Sequence, residues 1–462
     1  MRSIRLRILV TGALGISSLV FAAHNSNGGG QGGIRVHHRR HLTVAPTTSA
    51  PPVAPVTTSV PRTTVATAAT TIPTTSSAVP TTGPASPTTK ASAAPTTAAA
   101  PTTKATATPT TVATPPGDCS ARPVLVAGVF KEISPPGVAL VGSPPYGVTD
   151  VQFAPSDPCV LYSTIDMAGM WKSVNGGASW SRIGTLDSPT GIVVDPRDAN
   201  HLYASQGVRG NTQGFWVSRD GGVSWRKPAG FAAGEGLWSA DVYSVAVDPA
   251  DFNHVLLTFH TFQWSNNNNG DTGVIESFDG GESWTPHFQA GWGHGLTAMF
   301  LDASNRWLLG TQEHGMWRTM DGGVSWAKVD ENPMAHGGTQ LYRSVTGVLY
   351  MGSWNGILRS TDNGASWITL GSANGVGYCP HYSAVGDGKN LYTSCAYTGT
   401  NGTSTSYPYS TSPEADGLNW TVYNGGGQTF INGPGQQVFD KANRIMYSAN
   451  GSAGILALKI KG

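Results

Sequence analysis

Five copies of one eight-residue pattern constrain the fold of this chain more than any other feature of the sequence. Each copy reads Ser/Thr-x-Asp/Asn-x-Gly-x-Ser-Trp, and we call it the box; the copies occupy residues 173–180, 218–225, 277–284, 319–326 and 360–367. A sixth, degenerate copy ends at Trp420. The six tryptophans are separated by 45, 59, 42, 41 and 53 residues, which is close to the length of one four-stranded propeller blade. The sequence therefore predicts a repeat protein with one box in each blade.

The residues around each box predict the rest of the repeat. A large side chain stands nine positions before each box tryptophan, at Trp171, Trp216, Ile275, Trp317 and Leu358. It lies in an alternating stretch typical of a strand that enters a tight turn. Two earlier strands flank turns rich in Pro and Asp, so the unit is a β-meander. In the box, we expect the Asp or Asn to accept backbone N–H groups, the Gly to adopt positive φ and the Trp to pack between sheets. The box is therefore interpreted as structural rather than catalytic.

Counting these units predicts an all-β fold, a seven-bladed β-propeller over residues 118–462. Six blades carry a box, and the residues after Trp420 supply three more strands without one. We expect the fourth strand of the last blade to come from residues 122–133, which would close the ring with strands from both ends of the domain. The 345 residues of this segment correspond to about 49 per blade.

The first 117 residues have a different composition from the remainder. They contain nine Lys or Arg and no Asp or Glu, whereas the remainder has a net charge of −8. All 14 tryptophans lie at or after Trp171, so the N-terminal part cannot build a core. Residues 1–22 have the layout of a secretory signal peptide. Residues 23–117 are predicted to be a disordered Thr/Pro/Ala-rich linker. We therefore expect a secreted protein, extracellular or associated with the cell surface.

Charge also bears on the partners. The acidic folded part argues against nucleic acid, because phosphate binding needs a basic face. A short basic, His-rich tract lies at residues 35–41. Contact with an anionic cell wall or weak metal binding is one interpretation of this tract. A solvated basic flank of the linker is the other, and we prefer it.

The four cysteines predict two disulfides, because an even number of cysteines in an exported chain favours pairing. Cys379 and Cys395 flank the predicted turn at residues 386–389 almost symmetrically, so they are expected to face one another at the open end of a hairpin. Cys119 and Cys159 would then attach the N-terminal segment to the first blade.

Candidate functional residues gather on one side of the predicted ring. Loops between second and third strands, and connections between blades, lie on the face opposite the boxes, which we call the box-free face. This face is rich in indoles that stack on sugar rings and in carboxylates that transfer protons. Its candidates are Asp166, Trp238, Asp241, His260, Trp264, Trp292, His294, Glu313, His314, His336, Trp354, Tyr378 and His381.

The boxes resemble the Asp-box (BNR) repeats of sialidases, sortilin-like receptors and glycoside hydrolase family 74. Residues 146–171 are most similar to the first blade of family 74 xyloglucanases, where a catalytic aspartate occupies the Thr-Asp-x-Gly-Gly motif. The resemblance places that aspartate at Asp166, with Ala168 at the first Gly. The family carries its second catalytic aspartate on a second propeller, whereas these repeats account for one, so Glu313 and Asp241 become the candidate partners. We find no sialidase Phe/Tyr-Arg-Ile-Pro motif and expect no sialidase activity.

Together these observations predict a glycoside hydrolase that cleaves a β-linked polysaccharide, with Asp166 and either Glu313 or Asp241 as catalytic carboxylates. The expected substrate-binding residues are Trp238, Trp264, Trp292, His294, His314, Trp354, Tyr378 and His381. We expect no cofactor, no metal ion and a monomer.

Two other functional classes stay open. The first is a polysaccharide lyase that uses a His/Tyr pair or a histidine metal site on the same face. The second is a propeller that binds a glycan or a protein without catalysis. Two carboxylates across a groove would favour the hydrolase. Histidines clustered with a tyrosine would favour the lyase, and aromatic residues without paired acids would favour the binding protein.

Overall fold

The computed structural model describes most of the chain from residue 116 onwards. The described residues are 116–140, 147–207, 209–235, 238–259, 272–289, 291–332, 334, 339–377, 379–395, 407–423, 429–430 and 434–461. They all belong to the unit Thr102–Gly462. The predicted signal peptide and linker, and the candidates His260, Trp264, His336 and Tyr378, lie outside the described residues. Within the described part, no helix has the length and apolar character needed to cross a bilayer.

The protein is a seven-bladed β-propeller, as the repeats predict. Twenty-nine strands occur among the described residues, and the first of them, β1 (Phe130–Glu132), belongs to the last blade. Blade 1 contains β2 (Val148–Ala154), β3 (Asp157–Ile165), β4 (Gly169–Ser173) and β5 (Ser181–Ile183), and blade 2 contains β6 (Gly191–Asp195), β7 (Asp198–Gln206) and β8 (Gly214–Ser218). Blade 3 contains β9 (Val242–Asp248), β10 (Asp251–Phe259), β11 (Gly273–Ser277) and β12 (Thr285–Phe288). Blade 4 contains β13 (Gly295–Phe300), β14 (Trp307–Thr311), β15 (Met316–Thr319) and β16 (Ala327–Asp330).

The remaining strands form blades 5 to 7 and one small accessory sheet. They are β17 (Leu341–Arg343), β18 (Leu349–Ser353), β19 (Gly356–Ser360) and β20 (Ile368–Leu370) in blade 5; β21 (Val385–Gly386), β22 (Asn390–Thr393), β24 (Ser410–Pro413) and β25 (Thr421–Val422) in blade 6; β27 (Gln437–Asp440), β28 (Ile445–Ala449) and β29 (Ile455–Lys459) with β1 in blade 7; and β23 (Tyr407–Pro408) with β26 (Thr429–Phe430) in the accessory sheet. One short helix, α1 (Ala229–Gly234), and two 3-10 turns, Cys119–Ala121 and Ser372–Asn374, are the helical elements of the described residues.

Each blade is an antiparallel meander whose strands follow one another outwards in chain order, except that β1 from the N-terminal side takes the fourth position in blade 7. The second strands are the most buried, because they are covered by the sheets on both sides. In β3 the last seven residues are all buried, and in β10 the last six are. The fourth strands lie at the rim, and β5 and β12 are mostly exposed. In blade 2 the fourth position holds a single bridge, between Val217 and Arg226.

The box turns form the hydrogen bonds that the sequence predicts. In blade 3, Asp279 Oδ1 accepts the Ser283 N–H at 2.9 Å and the Ser277 hydroxyl at 2.8 Å, and the Gly281 N–H donates to Ser277 Oγ at 2.8 Å. The other four boxes repeat this arrangement, with Asn175 in place of Asp in blade 1. Box residue five is a glycine with positive φ in every copy. The box is therefore a hydrogen-bonded turn between the third and fourth strands.

Box tryptophans join neighbouring blades, as expected. The Trp284 ring of blade 3 packs edge-on against Phe215 of blade 2, with centroids 5.5 Å apart. Its indole N–H donates to the Gly281 carbonyl at 2.9 Å. Even the degenerate copy keeps this bond, because Trp420 Nε1 donates to the Gly417 carbonyl at 3.1 Å.

The Pro- and Asp-rich turns between first and second strands are capped by their own aspartates. Asp195 Oδ1 accepts the Arg197 N–H at 2.9 Å, and Asp248 Oδ1 accepts the Ala250 N–H at 2.8 Å. The second oxygen of Asp248 contacts Nδ1 of the buried His254 at 3.0 Å. These side-chain bonds confirm the predicted turn chemistry.

The ring closes in the last blade with a strand from the N-terminal side, which confirms the predicted closure. Phe130 of β1 is paired with Leu458 of β29 and Glu132 with Leu456, so β1 covers an edge that β29 would otherwise expose. Both predicted disulfides are present, Cys119–Cys159 and Cys379–Cys395, with Cα atoms 5.3 and 5.7 Å apart.

Candidate active site on the box-free face

Strand direction places the candidate carboxylates opposite the boxes. In a four-stranded meander the second-to-third turn and the connection to the next blade lie at the end away from the third-to-fourth turn. Asp166 lies in the turn between β3 and β4, and Glu313 lies in the turn between β14 and β15. Asp241 ends the connection from blade 2 to blade 3. Topology thus assigns all three to the box-free face.

Asp166 is a buried carboxylate held by two polar partners. Ser188 Oγ donates to its Oδ1 at 2.6 Å, and Arg209 Nη1 donates to its Oδ2 at 3.1 Å. The side chain of Asp166 is 5% exposed and that of Arg209 is 30% exposed. Arg209 is therefore the more exposed member of this ion pair.

The backbone immediately after Asp166 adopts an unusual conformation. Met167 has φ of 58°, a left-handed value that costs energy for a residue with a side chain. Its N–H donates to Ser188 Oγ at 3.2 Å, and its side chain is exposed. The turn thus directs a strained, exposed methionine away from the core next to a buried carboxylate.

A second carboxylate fixes the loop that carries Arg209. Asp187 Oδ1 accepts bonds from the Gln206 amide at 2.5 Å and the Thr212 hydroxyl at 2.8 Å, and its Oδ2 accepts the Asn211 N–H at 2.7 Å. Partial burial acts against ionisation, but these hydrogen bonds lower the pKa of Asp187 to about 2. Asp187 is therefore ionised at neutral pH and anchors the loop between β7 and β8.

Asp241 lies against the start of the same loop. A Cβ atom at Gly207 would come within 2.2 Å of Asp241 Oδ1, so only glycine permits this approach. Asp241 is 7% exposed, and its N–H donates to Ser239 Oγ at 2.9 Å. The loop that starts at Gly207 therefore contacts Asp241 of blade 3 at one end and Asp166 of blade 1 through Arg209.

Glu313 forms a separate group with two histidines. Its Oε1 contacts His294 Nδ1 at 2.5 Å, and its Oε2 accepts the His294 N–H at 3.0 Å. Burial opposes ionisation, but the bonds from His294 and the nearby His314 lower the pKa of Glu313. Glu313 and His314 are exposed and His294 is half-buried, so solvent reaches this group.

Several predicted binding residues belong to the core instead. Trp292 is fully buried and packs edge-on against Trp326 with centroids 5.0 Å apart. Trp238 is 4% exposed and packs against Phe231 of α1. His381 is fully buried, and burial lowers its pKa to about 3. These three side chains are enclosed by the interior and have no accessible face on which a sugar ring could stack. Trp354 is half-buried, so part of its indole is accessible.

The sequence analysis missed Arg209, Ser188 and Asp187. Arg209 stands alone in a Gly-rich loop, and Ser188 and Asp187 resemble ordinary turn residues. The signal that could have found them is their position, because each lies in a box-free loop of blade 1 or blade 2 next to Asp166. The histidines that were expected to meet on this face are also divided, since His294 and His314 share a group whereas His381 is buried in the connection between blades 5 and 6.

No protein family model and no curated protein matches this sequence. The structure resembles that of the GH74 xyloglucanase from Xanthomonas campestris, with a TM-score of 0.51 and 17% identity over 72% of this chain and 53% of that chain. An ancestral GH74 enzyme gives a TM-score of 0.47 and 17% identity over 66% of this chain and 44% of that chain. YCF48 from Cyanidioschyzon merolae gives a TM-score of 0.47 and 11% identity over 72% of this chain and 98% of that chain.

The matched region therefore spans about half the length of the two GH74 enzymes. At such identity the similarity to the xyloglucanase is one of fold. The resemblance to Asp-box propellers that the sequence suggested is confirmed at that level, and this chain shares its propeller architecture with a GH74 xyloglucanase.

Proposed function

We propose that this chain is a secreted carbohydrate-active propeller that hydrolyses a β-linked polysaccharide on its box-free face. The observation that carries the proposal is the position of Asp166 beside Arg209 on this face, in a turn strained at Met167. Strained backbone next to a charged side chain is typical of functional sites. The fold is one that a xyloglucanase also uses.

Glycoside hydrolysis needs one carboxylate that stays ionised and one that donates a proton. We assign the first role to Asp166 from its position on the box-free face, with Arg209 Nη1 3.1 Å from its Oδ2. In this role it stabilises the cationic sugar or activates water. Ser188 holds the other carboxylate oxygen and fixes the orientation of the group.

Asp241 fits the role of proton donor better than Glu313 does. Asp241 adjoins the Gly207 end of the loop that brings Arg209 to Asp166. The pKa of Glu313 is lowered by its bonds to His294, so it holds its proton less readily than an ordinary glutamate. We therefore assign the acid to Asp241.

A polysaccharide lyase is the second candidate, favoured by the Glu313–His294 pair. Glu313 orients the imidazole through Nδ1, as a carboxylate orients a histidine that acts as general base. A lyase removes a proton next to a uronate carboxylate and leaves an unsaturated product. His294 would be the base, and the exposed His314 would bind the acidic sugar.

The full chain should be incubated with a panel of neutral β-glucans, xyloglucan and polyuronates, with reducing ends and the absorbance of unsaturated products measured in parallel. For a hydrolase, Asp166→Asn should lower kcat by roughly 10²–10⁴-fold with circular dichroism unchanged. Asp241→Asn should also lower kcat. The control is Glu282→Gln, which alters a 44% exposed carboxylate in the box of blade 3, on the opposite face, and should keep full activity.

Full activity of a folded Asp166→Asn variant would refute the assignment of Asp166. Unsaturated products that disappear in His294→Ala would instead establish the lyase. Binding of a glycan without either product would identify a non-catalytic binding protein.

A further inference from the structure

We propose that reduction of the Cys379–Cys395 disulfide creates a site for one soft divalent metal ion such as Zn²⁺, with the two sulfurs and His381 Nε2 as ligands. The site lies between the connection from blade 5 to blade 6 and the end of β22. Asp166 and Glu313 belong to other blades, and the site is independent of the proposed hydrolase activity. It rests on four observations: ligand geometry, the orientation of the imidazole, a glycine beside the sulfurs, and the contrast with the second disulfide.

The three ligand atoms already have separations close to those of a metal site. His381 Nε2 lies 3.4 Å from Cys379 Sγ and 3.9 Å from Cys395 Sγ. A tetrahedral zinc ion with Zn–S of about 2.3 Å and Zn–N of about 2.0–2.1 Å sets its nitrogen and sulfur ligands about 3.6 Å apart. After reduction only the two sulfurs must move apart. The Cα atoms are 5.7 Å apart, so rotation of the side chains suffices.

The hydrogen bonds of His381 direct a lone pair towards the sulfurs. Thr393 Oγ1 donates its hydrogen to the Ser383 carbonyl at 2.7 Å. It must therefore accept from His381 Nδ1, which lies 2.9 Å away. With its proton on Nδ1, the neutral imidazole binds metals through Nε2. The bond to Thr393 is also the second-shell contact that fixes a ligating histidine.

Burial and a glycine complete the arrangement. His381 is fully buried, and both sulfurs belong to buried residues. A Cβ atom at residue 377 would lie only 3.3 Å from Cys379 Sγ and 3.4 Å from Cys395 Sγ. Gly377 therefore keeps one side of the sulfur pair free of a side chain, and a water would complete the tetrahedral ligand set.

The second disulfide lacks these features and provides a matched control. Cys159 Sγ accepts a hydrogen bond from Arg122 Nη2 at 3.7 Å, so its polar neighbour is a cation, which repels a metal ion. Both disulfides join cysteines of similar Cα separation. They differ in the group that faces the sulfur.

The chemistry balances in two steps. A dithiol or phosphine reductant supplies two electrons, and with two protons the disulfide becomes two thiols. Metal binding then releases both thiol protons, because thiolate is the ligand. His381 enters as the neutral imidazole and contributes no proton.

The experiment is a Co²⁺ titration of the full chain before and after reduction with a phosphine, with cobalt as the spectroscopic substitute for zinc. The expected result is one equivalent of Co²⁺ with a thiolate-to-cobalt charge-transfer band, only in the reduced protein. Histidines alone give no such band, so the tract at residues 35–41 does not interfere. The double variant Cys119→Ser/Cys159→Ser should keep the band, and Cys379→Ser/Cys395→Ser should lose it. His381→Gln should weaken binding about tenfold or more.

Circular dichroism is recorded throughout, because reduction or the His381 variant could unfold the chain. If the reduced chain unfolds, the proposal requires Co²⁺ or Zn²⁺ to restore the folded spectrum, since metal binding is then coupled to folding. Absence of the band and of refolding in Cys119→Ser/Cys159→Ser would overturn the proposal. Equal cobalt affinity of the two double variants would overturn it as well.

Discussion

Asp150 and Asp187 show how the surroundings of an aspartate shift its pKa in opposite directions. Asp150 is a fully buried residue of β2, and burial raises its pKa to about 6 although the Ile192 N–H and the Gln152 amide each donate to it at 3.0 Å. Asp187 lies in a half-buried loop where hydrogen bonds outweigh burial, and its pKa is about 2. The bond from Ile192 joins blade 1 to blade 2, so Asp150 has a structural function.

These pKa values predict opposite effects of pH on stability. In the unfolded chain Asp150 titrates near 3.8, whereas in the folded protein it keeps its proton up to about pH 6. The folded state thus binds more protons between these values, and its stability falls as pH rises from about 4 to 6. Asp150→Asn should remove this slope, which amounts to the order of 2–3 kcal/mol.

Urea unfolding from pH 2 to pH 7 measures the effect as a difference from the parent. Asp187→Asn is the control: the contribution of Asp187 is present above about pH 4 and is lost as pH falls towards 2. Its removal should change the slope only below pH 4. An Asp150→Asn variant with the parent slope between pH 4 and 6 would show that Asp150 does not titrate there.

At the scale of elements, Trp292 in the connection between β12 and β13 is predicted to be a structural residue. Trp292 is fully buried against Trp326 and Trp307. Trp292→Ala should lower the free energy of unfolding by about 3–5 kcal/mol, because it leaves a large cavity. Trp354→Ala, which alters a half-buried indole, should cost much less. Chemical denaturation and glycan binding should be measured on both, and loss of binding in a Trp292→Ala variant of parental stability would restore Trp292 to the site.

The elements were predictable where the sequence repeats. Five boxes fixed the third strand, the turn and the fourth strand, because each box satisfies its own hydrogen bonds within eight residues. Closure by residues 122–133 followed from counting strands. Blade 2 departs from four full strands because Arg226 is paired only with Val217 before the chain turns into α1.

The site was less predictable because its contacts join different blades. Asp166 and Arg209 are 43 residues apart in sequence, and no local pattern reports that distance. Burial was also hidden: Trp238 and Trp292 lie in connections, which are normally exposed, yet both fill space between sheets. The face of the three candidate carboxylates was therefore predictable from topology, whereas their partners and the accessibility of the tryptophans were not.

At the scale of the whole molecule, the two disulfides are expected to contribute unequally to the free energy of unfolding. Cys119–Cys159 closes a segment of 40 residues and Cys379–Cys395 one of 16. In the chain-entropy description, replacement of the longer pair by serine should cost about 4 kcal/mol and of the shorter about 3 kcal/mol. Urea unfolding of the two double serine variants without added metal tests this order. A smaller loss for Cys119→Ser/Cys159→Ser would mean that β1 alone holds the N-terminal segment in place.

The same disulfide determines how the propeller carries mechanical load. Cys119 precedes β1 in the chain and is bonded to Cys159, the third residue of β3 in blade 1. A pull on the chain ahead of Cys119 is therefore transmitted through the sulfur atoms into β3, which hydrogen-bonds to strands on both sides. The three-residue ladder of β1 with β29 lies outside that line of force. Once the disulfide is reduced, the same pull is resisted first by the hydrogen bonds of Gly117, Asp118 and Arg122 to blade 1. Only when these break does it reach the pairing of β1 with β29.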